Sequence, residues 1–475
     1  MNERRVFSRT IPYNSEQFFH QYKWLAGVES HHVLLESGRG GRYSVAGLSP
    51  LAVVFSNEEG IEIQTAGQTE KRKGVPLPEL ESWLKTYQLP KQEGLPDFQG
   101  GAIGYISYDY VRYIEKLPNC AEEDLGLPLL YFQIFEEWAI FDHQAKTLWL
   151  LVIDEEAAEA ERKLNEAERK WTASFNEEEK PLEVAVATGE LKVSFSEEAF
   201  QAAVEKTKQY IAAGDVFQVN LSVRQSKPLS IPAMAVYEEL RKLNPSPYMA
   251  YIHTPDFQIV SGSPELLIKK DGTNLSTRPI AGTRSRGKDE DDDLRLALEL
   301  IENEKERAEH VMLVDLERND LGRVSAYGSV EVDEFMVIEK YSHVQHIVSN
   351  VRGRLAEGKT NAEVVHAVFP GGTITGAPKV RTMEIIEELE PVRRGLYTGS
   401  IGWIGFNEDM ELNIVIRTMI VQGRMCHIQA GAGIVIDSDP KSEYKESLKK
   451  AKAVWTAKEM AEKRVSPVQA GGECR

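Results

Sequence analysis

Strand-like and helix-like segments are mixed along the 475 residues of this chain, without the regular strand–helix–strand repeat of a parallel sheet. Apolar or alternating runs predict strands at 61–64, 148–153, 216–223, 258–261, 397–405 and 413–421. Helical periodicity predicts helices at 78–87, 198–213, 291–314, 380–390 and 441–455. This irregular order predicts an α+β fold.

A change of composition between residues 155 and 190 indicates a boundary in the chain. This stretch is first rich in Glu, Ala and Lys with helical spacing and then becomes polar. We therefore expect an N-terminal region at 1–180 and a second region at 190–462. The terminal sequence Gln-Ala-Gly-Gly-Glu-Cys-Arg predicts a disordered tail at 463–475.

The composition excludes several classes of protein. The 74 acidic residues against 56 basic ones give a net charge of −18, which argues against nucleic acid or an anionic membrane as partner. Three scattered cysteines, Cys120, Cys426 and Cys474, fit neither a disulfide framework nor a C-x-x-C metal site. The start of the chain does not resemble a signal peptide, and no apolar run reaches the ~18 residues of a membrane span. We expect a cytoplasmic protein.

The segment 369–379 reads Phe-Pro-Gly-Gly-Thr-Ile-Thr-Gly-Ala-Pro-Lys and precedes a predicted helix. Glycines such as Gly372 let backbone N–H groups approach a ligand, and the start of a helix favours an anion. Ala and Pro follow the last glycine, where a nucleotide-binding loop needs Lys and then Ser or Thr. The turn therefore predicts a site for a small acid, with Thr373 and Lys379 as its polar members. A plain helix start is the alternative.

Two predicted helices each carry glutamates three residues apart. They are Glu306 with Glu309, and Glu443 with Glu446. This spacing puts both members of a pair on one helix face, where they could meet a hard cation such as Mg²⁺. A solvated acidic face is the alternative for either pair alone.

Other polar residues stand in apolar surroundings. Glu265 follows a buried-looking strand and could act as a general acid or base, or otherwise cap a turn. His343 could donate to an oxyanion, or be a satisfied core histidine. Arg417 is predicted to interrupt an apolar strand, so its charge should meet an anion or a carboxylate. Tyr397 precedes one glycine turn, and Ala-Gly-Ala-Gly at 430–433 is another.

Four ordered motifs resemble those of the chorismate-binding enzymes, in particular the synthase subunits that make anthranilate or aminodeoxychorismate. They lie at 278–284 (Arg-Pro-Ile-Ala-Gly-Thr-Arg), 310–320, 371–379 and 429–433. The N-terminal half adds similar segments at 34–37 and 100–109. The resemblance implies a four-layer α/β/β/α fold in which both halves contribute strands to a central orthogonal β-sandwich.

The resemblance also implies how the substrate is bound. Mg²⁺ would lie near Glu309 and Glu446, with Glu306 and Glu443 in support, and would bridge to the ring carboxylate of chorismate. The residues implied to contact the substrate are Tyr397, Arg417, Gly431, Gly433, Gly372 and Lys379.

The implied catalytic residues are Glu265, His343 and Thr373. Glu265 resembles the general acid/base of the family, while His343 and Thr373 would lie beside the departing C4 hydroxyl.

The residue at position 218 bears on the nucleophile. Water-using relatives carry a lysine base where this chain has Gln218, whereas ammonia needs no such base. The resemblance therefore favours an aminating enzyme. No cysteine lies in the G-x-C-x-G turn of a glutamine amidotransferase, so a separate amidotransferase subunit is the expected source of ammonia.

The product depends on position 281. Many aminodeoxychorismate synthases have a nucleophilic lysine in the motif Pro-Ile-Lys-Gly-Thr, and this chain has Ala281. The alanine favours anthranilate formation, with amination at C2, whereas the glycine motifs favour aminodeoxychorismate formation, with amination at C4. C4 amination is our expectation and C2 amination the alternative. A ligand-sensing homologue without activity is a third hypothesis.

A further group of residues resembles the tryptophan pocket of this family. In some members that pocket is a feedback site and in others it holds a structural ligand, so tryptophan is an expected ligand of either kind. The group consists of Ser37, Pro247, Tyr248 and Met249.

Overall fold

The computed structural model describes residues 4–38, 41–174, 189–340 and 344–465, which form two large antiparallel sheets. Strands and helices are numbered here in chain order. The first sheet contains, in spatial order, β1 (Arg5–Pro12), β10 (Thr147–Asp154), β9 (Glu137–Asp142), β3 (Tyr43–Leu48), β2 (His32–Glu36), β13 (Tyr248–His253), β14 (Phe257–Ser263), β23 (Thr418–Gln422), β24 (Met425–Ile434), β12 (Gln218–Pro228) and β11 (Lys192–Val193), with β20 (Gly376–Ala377) beside β12.

The second sheet has the same number of strands among the described residues. It contains, in spatial order, β17 (Ile280–Ser285), β19 (Val344–Arg354), β16 (Asn274–Arg278), β15 (Leu266–Asp271), β22 (Met410–Asn413), β21 (Ser400–Gly405), β7 (Gly101–Ile106), β8 (Leu130–Phe135), β4 (Ala52–Ser56), β5 (Gly60–Thr65) and β6 (Gln68–Lys73), with β18 (Glu331–Lys340) beside β19. The predicted α+β class is confirmed.

Helices cover the outer faces of the sheets. They are α1 (Ser15–Ala26), α2 (Pro76–Leu84), α3 (Ala157–Thr172), α4 (Glu197–Ala212), α5 (Ala233–Leu243), α6 (Glu290–Glu302), α7 (Glu304–Gly322), α8 (Asn361–Val368), α9 (Lys379–Leu389), α10 (Pro440–Lys450) and α11 (Lys452–Val465). Short 3₁₀ helices lie at Lys85–Tyr87, Tyr108–Tyr113 and Gly372–Ile374. None of the described helices is long and apolar enough to span a membrane.

The packing follows from the strand pattern. On β12, Val219, Leu221 and Val223 are fully buried against α4, α9 and α10. Because alternate residues of a strand point to opposite faces, Gln218 and Asn220 lie on the other face, toward the space between the sheets. A core of residues from both sheets fills much of that space. The result is an order of helix, sheet, sheet and helix layers.

The two regions at 1–180 and 190–462 both contribute strands to both sheets. In the first sheet, for example, β2 pairs with β13. In the second, β7 pairs with β21. The part of the expected boundary at 175–188 lies outside the described residues.

Several predicted elements were wrong in extent. The helix predicted at 291–314 is two helices, because the side chain of Asn303 caps a new helix start by accepting a hydrogen bond from the backbone N–H of Glu306. The helix predicted at 441–455 is likewise divided between α10 and α11, at Ala451. The predicted tail begins too early, since α11 continues to Val465; residues 466–475 lie outside the described part.

Candidate active site

Two neighbouring strands, β12 and β24, place several predicted site residues side by side. In their ladder Asn220 lies opposite Gly433, and Ser222 lies opposite Gly431. A methyl group on Gly433 would collide with the side-chain amide of Gln218, and one on Gly431 would lie 2.5 Å from Asn220 Oδ1. Gly431 is also confined by the backbone oxygen of Leu221 at 2.5 Å, whereas a side chain at Gly433 would have to displace the Gln218 amide.

The start of α7 approaches this ladder from the second sheet. Glu306 and Glu309 lie in its first two turns, as their spacing predicts. Gln218 Nε2 donates a hydrogen bond to Glu309 Oε1 at 3.2 Å. Arg284 Nη1 donates to Glu306 Oε1 at 3.1 Å. The structure thus brings the first glutamate pair next to the β12–β24 glycines.

The second glutamate pair lies at the start of α10. Ser438 Oγ donates to Glu443 Oε1 at 2.7 Å, and Lys450 Nζ lies 2.9 Å from Glu446 Oε1. Burial raises the pKa of Glu443, and the nearby charge of Glu446 raises it further. These two carboxylates therefore repel each other, and a bound cation would relieve that repulsion.

The donor chemistry of the four glutamates fits Mg²⁺. Within the described ranges, no three Asp, Glu, His or Cys side chains lie close enough together to ligate one ion. Mg²⁺ usually takes only one or two protein carboxylates and completes its shell with substrate and water. The charge of Lys305, beside Glu306, slightly lowers the pKa of Glu443, so the start of α7 lies within electrostatic range of the start of α10. The glutamates are thus suitable ligands from two sides.

Glu265 is a buried carboxyl group between β14 and β15. Its Oε1 makes no hydrogen bond of ordinary geometry to a described residue, and the same is true of the buried Thr373 Oγ1. Burial raises the pKa of Glu265 to about 7, although Thr373 and Arg417 lie close enough to offset part of this effect. A carboxyl group with this pKa can both give and take a proton near neutral pH.

Arg417 does not lie in a strand, so that prediction was wrong. The predicted strand 413–421 is divided between β22 in the second sheet and β23 in the first, and residues 414–417 cross between the sheets. The crossing is apolar because Ile414 and Val415 are buried in the core, and Arg417 turns the chain with a φ of 52°. This position brings its charge to Glu265.

Thr373 lies in the 3₁₀ turn that follows α8. A methyl group on Gly372 would collide with Leu316 of α7, so this glycine packs against a helix. Thr375 continues the turn, and its backbone carbonyl accepts a hydrogen bond from Asn220 N at 2.9 Å. The turn is thereby attached to β12.

Lys379, predicted to bind substrate, makes contacts within the protein. Its ammonium group pairs with Asp320 Oδ2 at 2.5 Å and donates to Val368 O at 3.1 Å. Asp320 lies one helical turn from Glu317, whose pKa burial raises to about 8 and whose carboxyl group bonds to Thr277. Lys379 thus balances buried carboxyl groups of α7 within the protein.

Arg394 and Glu390 form a buried ion pair that the sequence analysis did not identify. Arg394 Nη2 contacts Glu390 Oε1 at 2.8 Å and Asn220 O at 2.6 Å. Arg394 Nη1 donates to Ile374 O at 2.9 Å, and its guanidinium lies 5.5 Å from the ring centroid of Tyr397. The pair therefore connects β12, the Thr373 turn and the Tyr397 loop. The two residues are four apart, but α9 ends at Leu389, so no helical pattern in the sequence indicates this pair.

Comparison with known proteins identifies the family. The model of the chorismate binding enzyme family matches residues 31–456. The chain belongs to this family. It is 56% identical over 470 residues to aminodeoxychorismate synthase component 1 of Bacillus subtilis, covering 97% of this chain and 99% of the relative. It is 45% identical over 466 residues to anthranilate synthase component 1 of Thermus thermophilus, with the same coverage.

A solved structure of the family agrees with the fold. Anthranilate synthase component I of Streptococcus pneumoniae superposes with a TM-score of 0.78 at 34% identity, over 87% of this chain and 92% of that one. The chorismate-binding fold is therefore shared over most of the length.

Two further residues were predicted to belong to the active site, Ala281 and His343. Ala281 lies on β17 and is buried, opposite Ile347 of β19. Its neighbour Ile280 contributes a backbone hydrogen bond that acts on Glu265. The backbone next to Ala281 therefore lies beside Glu265. His343 lies outside the described residues.

The residues that resemble the family's tryptophan pocket lie together at the end of β2. Ser37 follows β2 directly, and Met249 of β13 pairs with Glu36. Gly38 N donates to the carbonyl oxygen of Ser246 at 2.9 Å, just before Pro247 and Tyr248. The residues of the predicted pocket therefore lie near the end of the paired strands β2 and β13.

Proposed function

We propose that this chain is the chorismate-aminating component of an aminodeoxychorismate synthase. The reaction replaces the C4 hydroxyl of chorismate by ammonia and releases water. The 56% identity to the Bacillus subtilis component over 97% of the chain supports this product, and the anthranilate synthase relative quoted above is less similar at 45%.

The environment of Gln218 supports ammonia, rather than water, as the nucleophile. Its amide nitrogen is bound to Glu309 at 3.2 Å, and an amide has no useful basicity. Water addition would need a base at this position, whereas neutral ammonia is already nucleophilic. The arrangement therefore supports amination.

Glu265 is the proposed proton carrier. Its pKa of about 7 lets the acid form protonate the departing C4 hydroxyl, and the resulting carboxylate can then accept a proton from the added ammonia. The two transfers leave Glu265 unchanged after one turnover. Thr373, whose hydroxyl makes no hydrogen bond of ordinary geometry to a described residue, is proposed to hold the departing oxygen.

Several residues are proposed to bind the substrate. Arg417 and Tyr397 would face the enolpyruvyl carboxylate, together with the backbone of Gly431 and Gly433. Further polar groups near the substrate would come from the first turns of α7 and α10. The glutamates proposed to hold a Mg²⁺ ion, whose charge would offset that of the ring carboxylate, are Glu306, Glu309, Glu443 and Glu446.

A glutamine amidotransferase subunit is proposed as the source of ammonia. Free ammonia is scarce near neutral pH, and the chain has no candidate turn for the amidotransferase nucleophile. Cys120 and Cys426 are free thiols, which agrees with the cytoplasmic location that we propose.

Anthranilate synthesis is the second candidate. The observation that favours it is Ala281, because the lysine of the covalent route is absent. In that reaction ammonia adds at C2 and pyruvate is lost. Tryptophan bound by the residues near the end of β2 and β13 would then act as a feedback ligand, whereas in an aminodeoxychorismate synthase it would be a structural ligand.

The test is the identity of the product. The purified chain is incubated with chorismate, Mg²⁺ and ammonium at mildly alkaline pH, with and without a lyase that converts aminodeoxychorismate to para-aminobenzoate. Para-aminobenzoate that forms only with the lyase is the expected result. Anthranilate that forms without the lyase would refute C4 amination, and the absence of both products would refute the proposed enzyme class.

A further inference from the structure

Two buried acceptor atoms lie beside the glycine strand without a hydrogen-bond partner among the described residues. They are Asn220 Oδ1 on β12 and Gln429 Oε1 on β24. Buried polar atoms are normally hydrogen-bonded, so two unpaired acceptors in a binding site are candidates for binding a ligand. The ligand must be a hydrogen-bond donor, because both atoms are carbonyl oxygens.

We propose that Asn220 Oδ1 is the acceptor that binds and orients the ammonia nucleophile, with Gln429 Oε1 on the neighbouring strand as a second acceptor. The inference rests on the proposed amination and adds to it a subsite for the nitrogen. Neither residue belongs to the set assigned above to chorismate, Mg²⁺ or proton transfer.

The backbone of Asn220 is fixed from two sides. Its N–H donates to Thr375 O at 2.9 Å, and its carbonyl accepts from Arg394 Nη2 at 2.6 Å. These bonds hold Asn220 against the turn of Thr373 and against the loop of Tyr397. Its side chain is therefore attached to a rigid support, which an orienting group needs.

The position of Asn220 in the sheet directs its side chain to the site. Gln218, Asn220 and Ser222 alternate with the apolar residues that face the helices, so all three face the space between the sheets. The amide of Gln218 lies over Gly433, and Asn220 Oδ1 lies over Gly431. The proposed subsite is thus adjacent to the residues proposed to bind the substrate carboxylate.

Gln429 lies on the same face of β24 as Gly431. Its Nε2 donates to Ser222 Oγ at 2.8 Å, which fixes the orientation of the amide. The amide oxygen, Oε1, accepts no hydrogen bond from a described residue. Two acceptors can take two N–H groups of ammonia while its lone pair remains available for attack. Both are neutral amides, so they do not favour protonation of ammonia as a carboxylate would.

The experiment compares the parent with Asn220→Leu and Asn220→Asp in the ammonium-dependent reaction. Leu has a similar size and no acceptor, whereas Asp keeps an acceptor oxygen. Asn165→Leu is the matched control, because Asn165 is an exposed residue of α3 that contacts Arg9. The Michaelis constants for ammonium and for chorismate are measured separately at one pH, for total aminated product.

The expected result is a rise of about tenfold in the ammonium KM of Asn220→Leu, the size of one lost hydrogen bond, with little change in the chorismate KM. Asn220→Asp should keep an ammonium KM closer to the parent, and Asn165→Leu should match the parent. An unchanged ammonium KM in Asn220→Leu, or an equal rise in the chorismate KM, would overturn the inference. So would an equal rise of the ammonium KM in Asn220→Leu and Asn220→Asp, since that pattern indicates a structural role.

If the proposed function is wrong but the proposed role of Asn220 is right, the experiment gives a different set of products. If the parent makes anthranilate, C4 amination is refuted while the ammonium KM still tests Asn220, because ammonia is the nucleophile in both reactions. A parent chain that aminates chorismate at neither carbon would overturn both proposals.

Discussion

Replacing Glu265 by Gln should change how the free energy of unfolding depends on pH. Its carboxyl group is buried, and its pKa is raised from 4.5 to about 7 in the folded protein. Below pH 4.5 the folded and unfolded states both hold the proton, so the group adds no penalty. Between pH 4.5 and about 7 only the folded state holds the proton, and stability falls as the pH rises.

The size of the effect follows from the two pKa values. Their difference of about 2.5 corresponds to about 3.4 kcal/mol, at 1.36 kcal/mol for each pKa unit. Glutamine is neutral at every pH and does not have this penalty. Glu265→Gln should therefore gain roughly 3 kcal/mol of stability relative to the parent between pH 4.5 and pH 8.

Urea denaturation of the parent and of Glu265→Gln at several pH values between 5 and 9 measures this difference. Glu357→Gln, a change at an exposed turn residue, is the control. Glu317 remains in both proteins and its contribution largely cancels, although the charge of Glu265 helps to raise the pKa of Glu317. A difference between Glu265→Gln and the parent that stays constant from pH 5 to pH 9 would refute the argument. In the amination assay, the same variant should lose about 10²- to 10⁴-fold in turnover.

Three further predictions concern neighbouring parts of the site. Arg394→Leu should lower the free energy of unfolding, measured in urea, by about 3–5 kcal/mol, because it leaves the buried Glu390 unpaired. Changing both residues to Leu should recover part of this loss, and no recovery would contradict the pairing argument. Glu309→Gln should raise the Mg²⁺ concentration for half-maximal activity by roughly 10- to 100-fold, and an unchanged Mg²⁺ titration would remove this residue from the metal site. Gly433→Ala should lower turnover by up to about 100-fold, because the methyl group displaces the Gln218 amide, and parent-like kinetics would show that the ladder tolerates it.

The sequence predicts those parts of the site that depend on local spacing. Glutamates three residues apart share a helix face in any α-helix, so Glu306 and Glu309 could be paired from sequence alone. The alternation of β12 likewise predicts which of its residues face the helices. These features follow from backbone geometry within one element.

The remaining parts depend on contacts between distant elements. An apolar run containing Arg417 has the pattern of a strand, yet it crosses between two sheets, and only the positions of those sheets reveal this. That Asn220 Oδ1 accepts no hydrogen bond from a described residue depends on its surroundings in the fold, which the sequence does not reveal. Glu390 and Arg394 are separated by Pro391, which hides their spacing from a search for helical pairs.

The interleaving of the two sheets has a consequence for synthesis on the ribosome. Strand β7 is buried along its whole length, and its residue Ile106 pairs with Ser400 of β21. That partner is translated about 290 residues later, a delay of roughly 15–60 s at 5–20 residues per second. During this interval an apolar strand has one unpaired edge in the nascent chain. Slow folding and a need for chaperones are therefore expected from the strand order, independently of the chemistry of the site.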